Sequence, residues 1–207
     1  MGTTEILRQE RVTDDALRTF VMVRSLIDQH LRYLPAEEGI VHQIGGEASG
    51  ISQPKPSAEP SKSLWIASER QHGGKSLGWD LKIGQEPDLG RLEAAIFVEF
   101  FLGRSEDERI LLRFEWNAHA REGDAPTCFR WSARLKAGPH PFDAEHLLQA
   151  MAGLRNRRMA REEARRRLRA GPGPDGRFAL LEHEAVCLLH AALAIFAAVA
   201  GATPSPP

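Results

Sequence analysis

The sequence predicts an α+β fold: an antiparallel five-strand meander with an N-terminal helix and two C-terminal helices packed on one face. Three observations carry that expectation. Residues 92–135 alternate apolar and polar side chains with period two across three consecutive segments. A helix-periodic apolar stripe precedes the strands. Two helical segments follow them, separated by the Gly-Pro-Gly-Pro-Asp-Gly turn at 171–176, and no strand interrupts either.

The first helix is expected at 13–34. Thr13 can cap it, Asp14 and Asp15 suit its positive end, and Pro35 stops it. Leu17, Phe20, Val21, Ile27, Leu31 and Leu34 give its buried stripe, with Val23 and Leu26 widening it. Residues 45–63 hold one bulky aliphatic residue, Ile51, among Gly, Ser, Pro, Glu and Lys, and read as a mobile loop inside a single 1–207 domain. Short strands are expected at 64–68 and 77–83, then three long ones. Their apolar face carries Ile96, Val98, Phe100, Ile110, Leu112, Phe114, Trp116, Phe129, Trp131 and Leu135. The polar face carries Glu99, Arg113, Glu115, Asn117, His119, Arg130, Ser132 and Arg134. A helix starting near Asp143 runs to Ala170, with a bend at Gly153 and a basic stretch at 154–170. An apolar helix is expected at 178–200.

The chain has 207 residues, an apolar fraction of 42% and a net charge near −1, which is ordinary for a globular protein with a proper core. The charge is unevenly spread. Between 154 and 170, eight arginines face only Glu162 and Glu163, so this segment is +6 and the remainder about −7. Cys128 and Cys187 give no disulfide framework, and charged residues occupy the N-terminal stretch where a secretory signal needs apolar ones. The expected location is the cytoplasm. The preference for Arg over Lys reads as coding bias of a GC-rich, bacterial genome.

Two surfaces offer themselves to a partner. On the sheet, hairpin geometry puts Glu99 near Arg113 and Glu115 opposite or diagonal to Arg130, and Arg134 extends the basic row. The simplest account is a solvated row of cross-strand ion pairs; the functional account is a docking face. On the basic helix, Arg158, Arg165, Arg166 and Arg169 project from a segment held only by Leu154, Ala160, Ala164 and Leu168. Glu162–Arg166 and Glu163–Arg167 pairs at i,i+4 spacing are expected there. Such a helix suits an acidic partner or a phosphate backbone, although no aromatic residues are interleaved for base stacking.

Several strings look catalytic. Gly73-Gly74-Lys75-Ser76 lacks the first glycine of a phosphate-binding loop and precedes a strand rather than a helix, which excludes that reading. Asp80 and Lys82 share a strand face, as in metal-dependent nucleases of the PD-(D/E)xK type, with Glu69 or Glu99 able to add a carboxylate. His183, Cys187 and His190 share a helical face, and the string at 183–187 is similar to a zinc-peptidase HExxH motif with cysteine for the second histidine. One helix rarely gives three ligands to one ion, so packing of a small-residue stripe is the simpler account. The uncharged run from Ala185 to Ala200 spans about 24 Å, short of the roughly 30 Å hydrocarbon core, and contains His190.

No catalytic, cofactor or metal constellation is expected from these residues. The function expected is that of a non-catalytic interaction or assembly subunit of a cytoplasmic complex, binding a protein partner or a second copy of itself. The partner-binding residues are Arg113, Glu115, Arg130, Arg134, Arg158, Arg165, Arg166 and Arg169. The alternatives are a nucleic-acid binder or metal-dependent nuclease using the arginine helix at 155–169, and a tail-anchored membrane protein.

Overall fold

The computed structural model describes residues 3–31, 39–44, 62–72, 75–85, 94–103, 110–119, 128–154 and 158–200. Helix α1 (Thr3–Leu31) leads into strands β1 (Gly39–Ile44), β2 (Lys62–His72), β3 (Lys75–Gln85), β4 (Ala94–Leu102), β5 (Ile110–His119) and β6 (Cys128–Leu135). Helices α2 (Ala144–Gly153) and α3 (Arg158–Ala170), the short strand β7 (Phe178–Leu180) and helix α4 (Glu182–Val199) complete the chain. The sheet is an antiparallel meander in chain order, β1 to β7. It is an α+β fold with helices packed on the sheet, and the five strands read from the sequence are β2 to β6.

Two strands extend that reading at the sheet edges. Strand β1 pairs with β2 through Gly39–Ile44. Strand β7 pairs with β6, placing Phe178 beside Ala133 and Leu180 beside Trp131 on the core face. The segment Phe178-Ala179-Leu180 is therefore strand rather than the first turn of α4, and its buried–exposed–buried pattern shows the period of two. Helix α4 begins after it, where Glu184 Oε2 accepts the Leu181 N–H at 2.8 Å. Of the loop expected at 45–63, residues 62 and 63 open β2, and the rest lies outside the described residues.

Helix α1 starts at Thr3, ten residues before Thr13, because residues 3–12 are mostly good helix formers. Its buried stripe is Ala16, Phe20, Val23, Ile27 and Leu31, while Leu17 and Val21 are 52% and 58% exposed. The stripe is narrower than expected because α1 meets the sheet through β3 and β4 and meets α4 along one side only. Gly153 breaks the predicted long helix outright rather than bending it. Leu154 is extended, and Arg161 Nη1 donates to the Leu154 carbonyl across the break.

A register shift at Phe100/Phe101 revises one strand face. Leu112 still pairs with Phe100, but Ile110 now stands opposite Phe101. Ile110 is accordingly 38% exposed, and Leu111 joins the core instead. One extra residue in a strand exchanges which side chain faces inward. The core centres on Phe100, whose ring meets those of Phe114, Phe142 and Phe196, so sheet, loop and α4 converge there. Helix α4 is the middle of the helical layer and touches α1, α2, α3, β6 and β7. That position explains its composition: ten of its residues are buried. It is long and apolar enough to cross a membrane by composition, yet most of its surface is spent on the core.

Candidate functional site

Strand register sorts the polar face into rows. Asp80, Glu99, Arg113 and Arg134 stand directly opposite one another across β3, β4, β5 and β6. The next row is Phe97, Glu115, Ser132 and Ala179 across β4 to β7. Arg130 faces Asn117 in the row beyond, so Glu115 is diagonal to Arg130.

The carboxylate of Glu115 is the centre of this face. Its side chain is only 5% exposed although it points away from the helices. Arg113 Nε lies 2.8 Å from Glu115 Oε1, and Arg177 Nη1 lies 2.7 Å from Oε2. Arg113 also reaches Glu99 at 3.4 Å, and its guanidinium sits 4.3 Å from the centre of the Phe97 ring. Glu115 thus has a guanidinium on each oxygen, and Arg113 divides its contacts between Glu99 and Glu115, attractions that work against the desolvation cost of a buried ion pair.

Arg177 was not marked by sequence reasoning. It reaches Glu115 diagonally from just before β7, two residues ahead of Ala179, which is the β7 member of the Glu115 row. The 171–176 turn aims it: Gly176 has φ +74°, Gly173 N–H donates to the Arg177 carbonyl, and Asp175 Oδ1 accepts the Arg177 N–H. The available signal was a glycine-proline turn running straight into Arg-Phe-Ala-Leu, which marks the chain's return from α3 to the sheet edge.

Arg130 and Arg134 are exposed beside this network. Arg134 stands directly opposite Arg113, a like-charge pair in adjacent strands. Such pairs destabilise a sheet. Arg113 turns toward Glu99, Glu115 and Phe97, and Arg134 is left facing solvent.

The remaining expected residues lie on a different layer, so the eight do not form one surface. Helix α3 buries Ala160, Ala164 and Leu168. Its outward side carries Arg158, Met159, Glu162, Arg166 and Arg169. Arg165 is folded down onto Glu162, 2.9 Å away, at i,i+3 spacing. Neither expected i,i+4 pair forms. Glu163 instead meets His183 at 2.6 Å and Arg167 meets Glu184 at 3.1 Å, because α4 packs alongside and offers both partners.

His183, Cys187 and His190 do not converge. His183 pairs with Glu163, Cys187 is a buried thiol, and His190 Nδ1 lies 2.8 Å from His30 Nε2 on α1, one ring donating and the other accepting. Burial first, and then the charge of His190, holds the His30 imidazole below the ordinary histidine range. Glu163, His183 and Glu184 do bring ligand atoms within 4.8 Å of one another. Both oxygens of Glu184 are already taken by the Leu181 N–H and Arg167, and the guanidinium there opposes a second cation.

A shallow apolar groove of about 630 Å³ runs between Pro139, Pro141 and Ala150 on one wall and Ala194, Ile195 and Ala198 on the other. At its rim Asp143 caps α2, its Oδ1 accepting from His146 N at 2.9 Å and pairing with His146 Nδ1 at 2.8 Å. Burial raises the Asp143 pKa, but these hydrogen bonds together outweigh it and leave the carboxyl below its usual range. Among the described residues, no serine, threonine or cysteine lines the groove. No protein-family model, curated protein or solved structure matches this chain.

Proposed function

We propose that this chain is a non-catalytic interaction or assembly subunit of a cytoplasmic complex, with the outer sheet face as one docking surface. The observation that carries the reading is the opposed pair Arg113 and Arg134. A sheet selected for stability alone gains from opposite charges at facing positions and loses from like ones. Departures from local consistency concentrate where a surface serves something else. Here Arg130 and Arg134 remain exposed, while Glu99, Arg113, Glu115 and Arg177 are tied to one another and hold the surface in a fixed shape. A rigid face with surplus arginines loses little entropy when an acidic partner lands on it.

The test is co-purification from the cells that make the chain, before and after Arg130→Glu and Arg134→Glu together. The reading expects a partner at fixed stoichiometry from the parent chain and its loss from the double variant. Retention of the partner by the double variant removes the sheet face from the proposal.

A second reading, a metal-dependent nuclease, draws on the register that sets Asp80 opposite Glu99 with Lys82 two residues along the same strand. Mg²⁺-dependent cleavage of DNA or RNA that disappears in Asp80→Ala would favour it. Against it, Glu99 is drawn toward Arg113, whose charge competes with a metal ion.

A further inference from the structure

The outward face of α3 has features that the sheet face lacks. Arg158, Arg166 and Arg169 are exposed, and among the described residues none of the three is ion-paired. The one acid on that face, Glu162, is engaged by Arg165. In the midst of these cations stands Met159, 79% exposed and the most exposed large apolar side chain among the described residues. The helix beneath is fixed from both flanks by Arg161 to the Leu154 carbonyl, Glu163 to His183 and Arg167 to Glu184. The face is therefore held in position before anything binds.

We infer that this face is a docking site for an acidic protein segment that carries a small apolar socket for Met159, an inference that rests on the interaction-subunit reading. The rise of a helix puts Arg158 about 12 Å from Arg166 and about 16 Å from Arg169, so the partner's carboxylates are spread over that length. Arginine and methionine side by side are typical of interface centres, where the thioether fills an irregular pocket and the guanidinium pairs with carboxylates. A nucleic acid matches this face less well. A phosphate backbone offers methionine no socket, Glu162 interrupts the basic track, and the face presents no aromatic ring for base stacking.

The experiment places p-benzoylphenylalanine in the full chain at position 159, and separately at 130 and at 145, in the cells that make it, with mass spectrometry of the light-dependent adducts. Position 145, on α2, is exposed and serves as the control. The inference expects an adduct from 159 to one protein, mapped to an Asp- or Glu-rich segment, absent from 145. In Arg166→Glu with Arg169→Glu it falls about tenfold. These side chains stand outside the core, so the thermal melt stays in place. Adducts to nucleic acid or lipid, adducts unaffected by the charge reversal, or equal adducts at 145 overturn it. An adduct at 130 with none at 159 leaves the interaction function standing and removes α3 from it. No adduct at either position, with a monomeric chain, overturns both.

Discussion

The ion-pair network on the outer sheet face makes a quantitative demand on Glu115 and Arg177. Their oxygen and nitrogen are 2.7 Å apart, with Glu115 5% and Arg177 36% exposed. Unit charges about 4 Å apart attract by about 4 kcal/mol at an effective dielectric of 20. Desolvating the carboxylate takes back much of that, and the exposure of Arg177 screens more. A coupling energy of about 1–2 kcal/mol should remain. Arg177→Ala alone leaves Glu115 its contact with Arg113 and should be the milder change. Glu115→Gln leaves two cations near one another without their shared anion, at about 2–3 kcal/mol. Urea unfolding of the two single variants and the double variant gives the coupling as a cycle. A coupling below about 0.5 kcal/mol would refute the argument that Arg177 closes the network.

Three further outcomes follow from the same packing. The lowered pKa of His30 means that the unfolded state takes up a proton first as pH falls. Stability should be fully present above the ordinary histidine value of about 6.5 and decline as acid carries the solution down toward the folded-state value; urea midpoints between pH 7.5 and 5 should show this, and His30→Asn should flatten the slope. Gly176→Ala meets no neighbouring atom but forces a side chain onto φ +74°, so it should cost about 1–2 kcal/mol by chemical denaturation. Phe100→Ala removes a fully buried ring that touches three others and should cost about 3–5 kcal/mol, with a retained melting temperature contradicting the placement of the core.

The meander was legible because period-two alternation over β4, β5 and β6 is long, and because among the described residues the helices pack on one face of that sheet. The edge strands were harder to see. Strand β7 is three residues long and runs straight into an apolar helix, so its pattern is swallowed by the helix signal. Leu17 and Val21 read as core because their spacing fits the stripe, yet burial depends on which neighbours sit alongside α1. Ile110 misled for another reason: a bulge inserts one residue, and alternation alone cannot say where. On the candidate surfaces, the Glu99–Arg113 contact follows from the hairpin. The pairings of Glu163, Arg167 and His183 do not, since they need the packing of α3 on α4. Arg177 lies 62 residues beyond Glu115 and depends on a turn whose backbone direction is set by a glycine at positive φ.

The account depends most on the claim that these charged faces are kept for another molecule. Native mass spectrometry of the chain isolated from the cells that make it tests that claim directly. A species heavier than the 23.0 kDa chain, of constant composition across preparations, is the expected result. A lone 23.0 kDa species under gentle, low-salt conditions contradicts it.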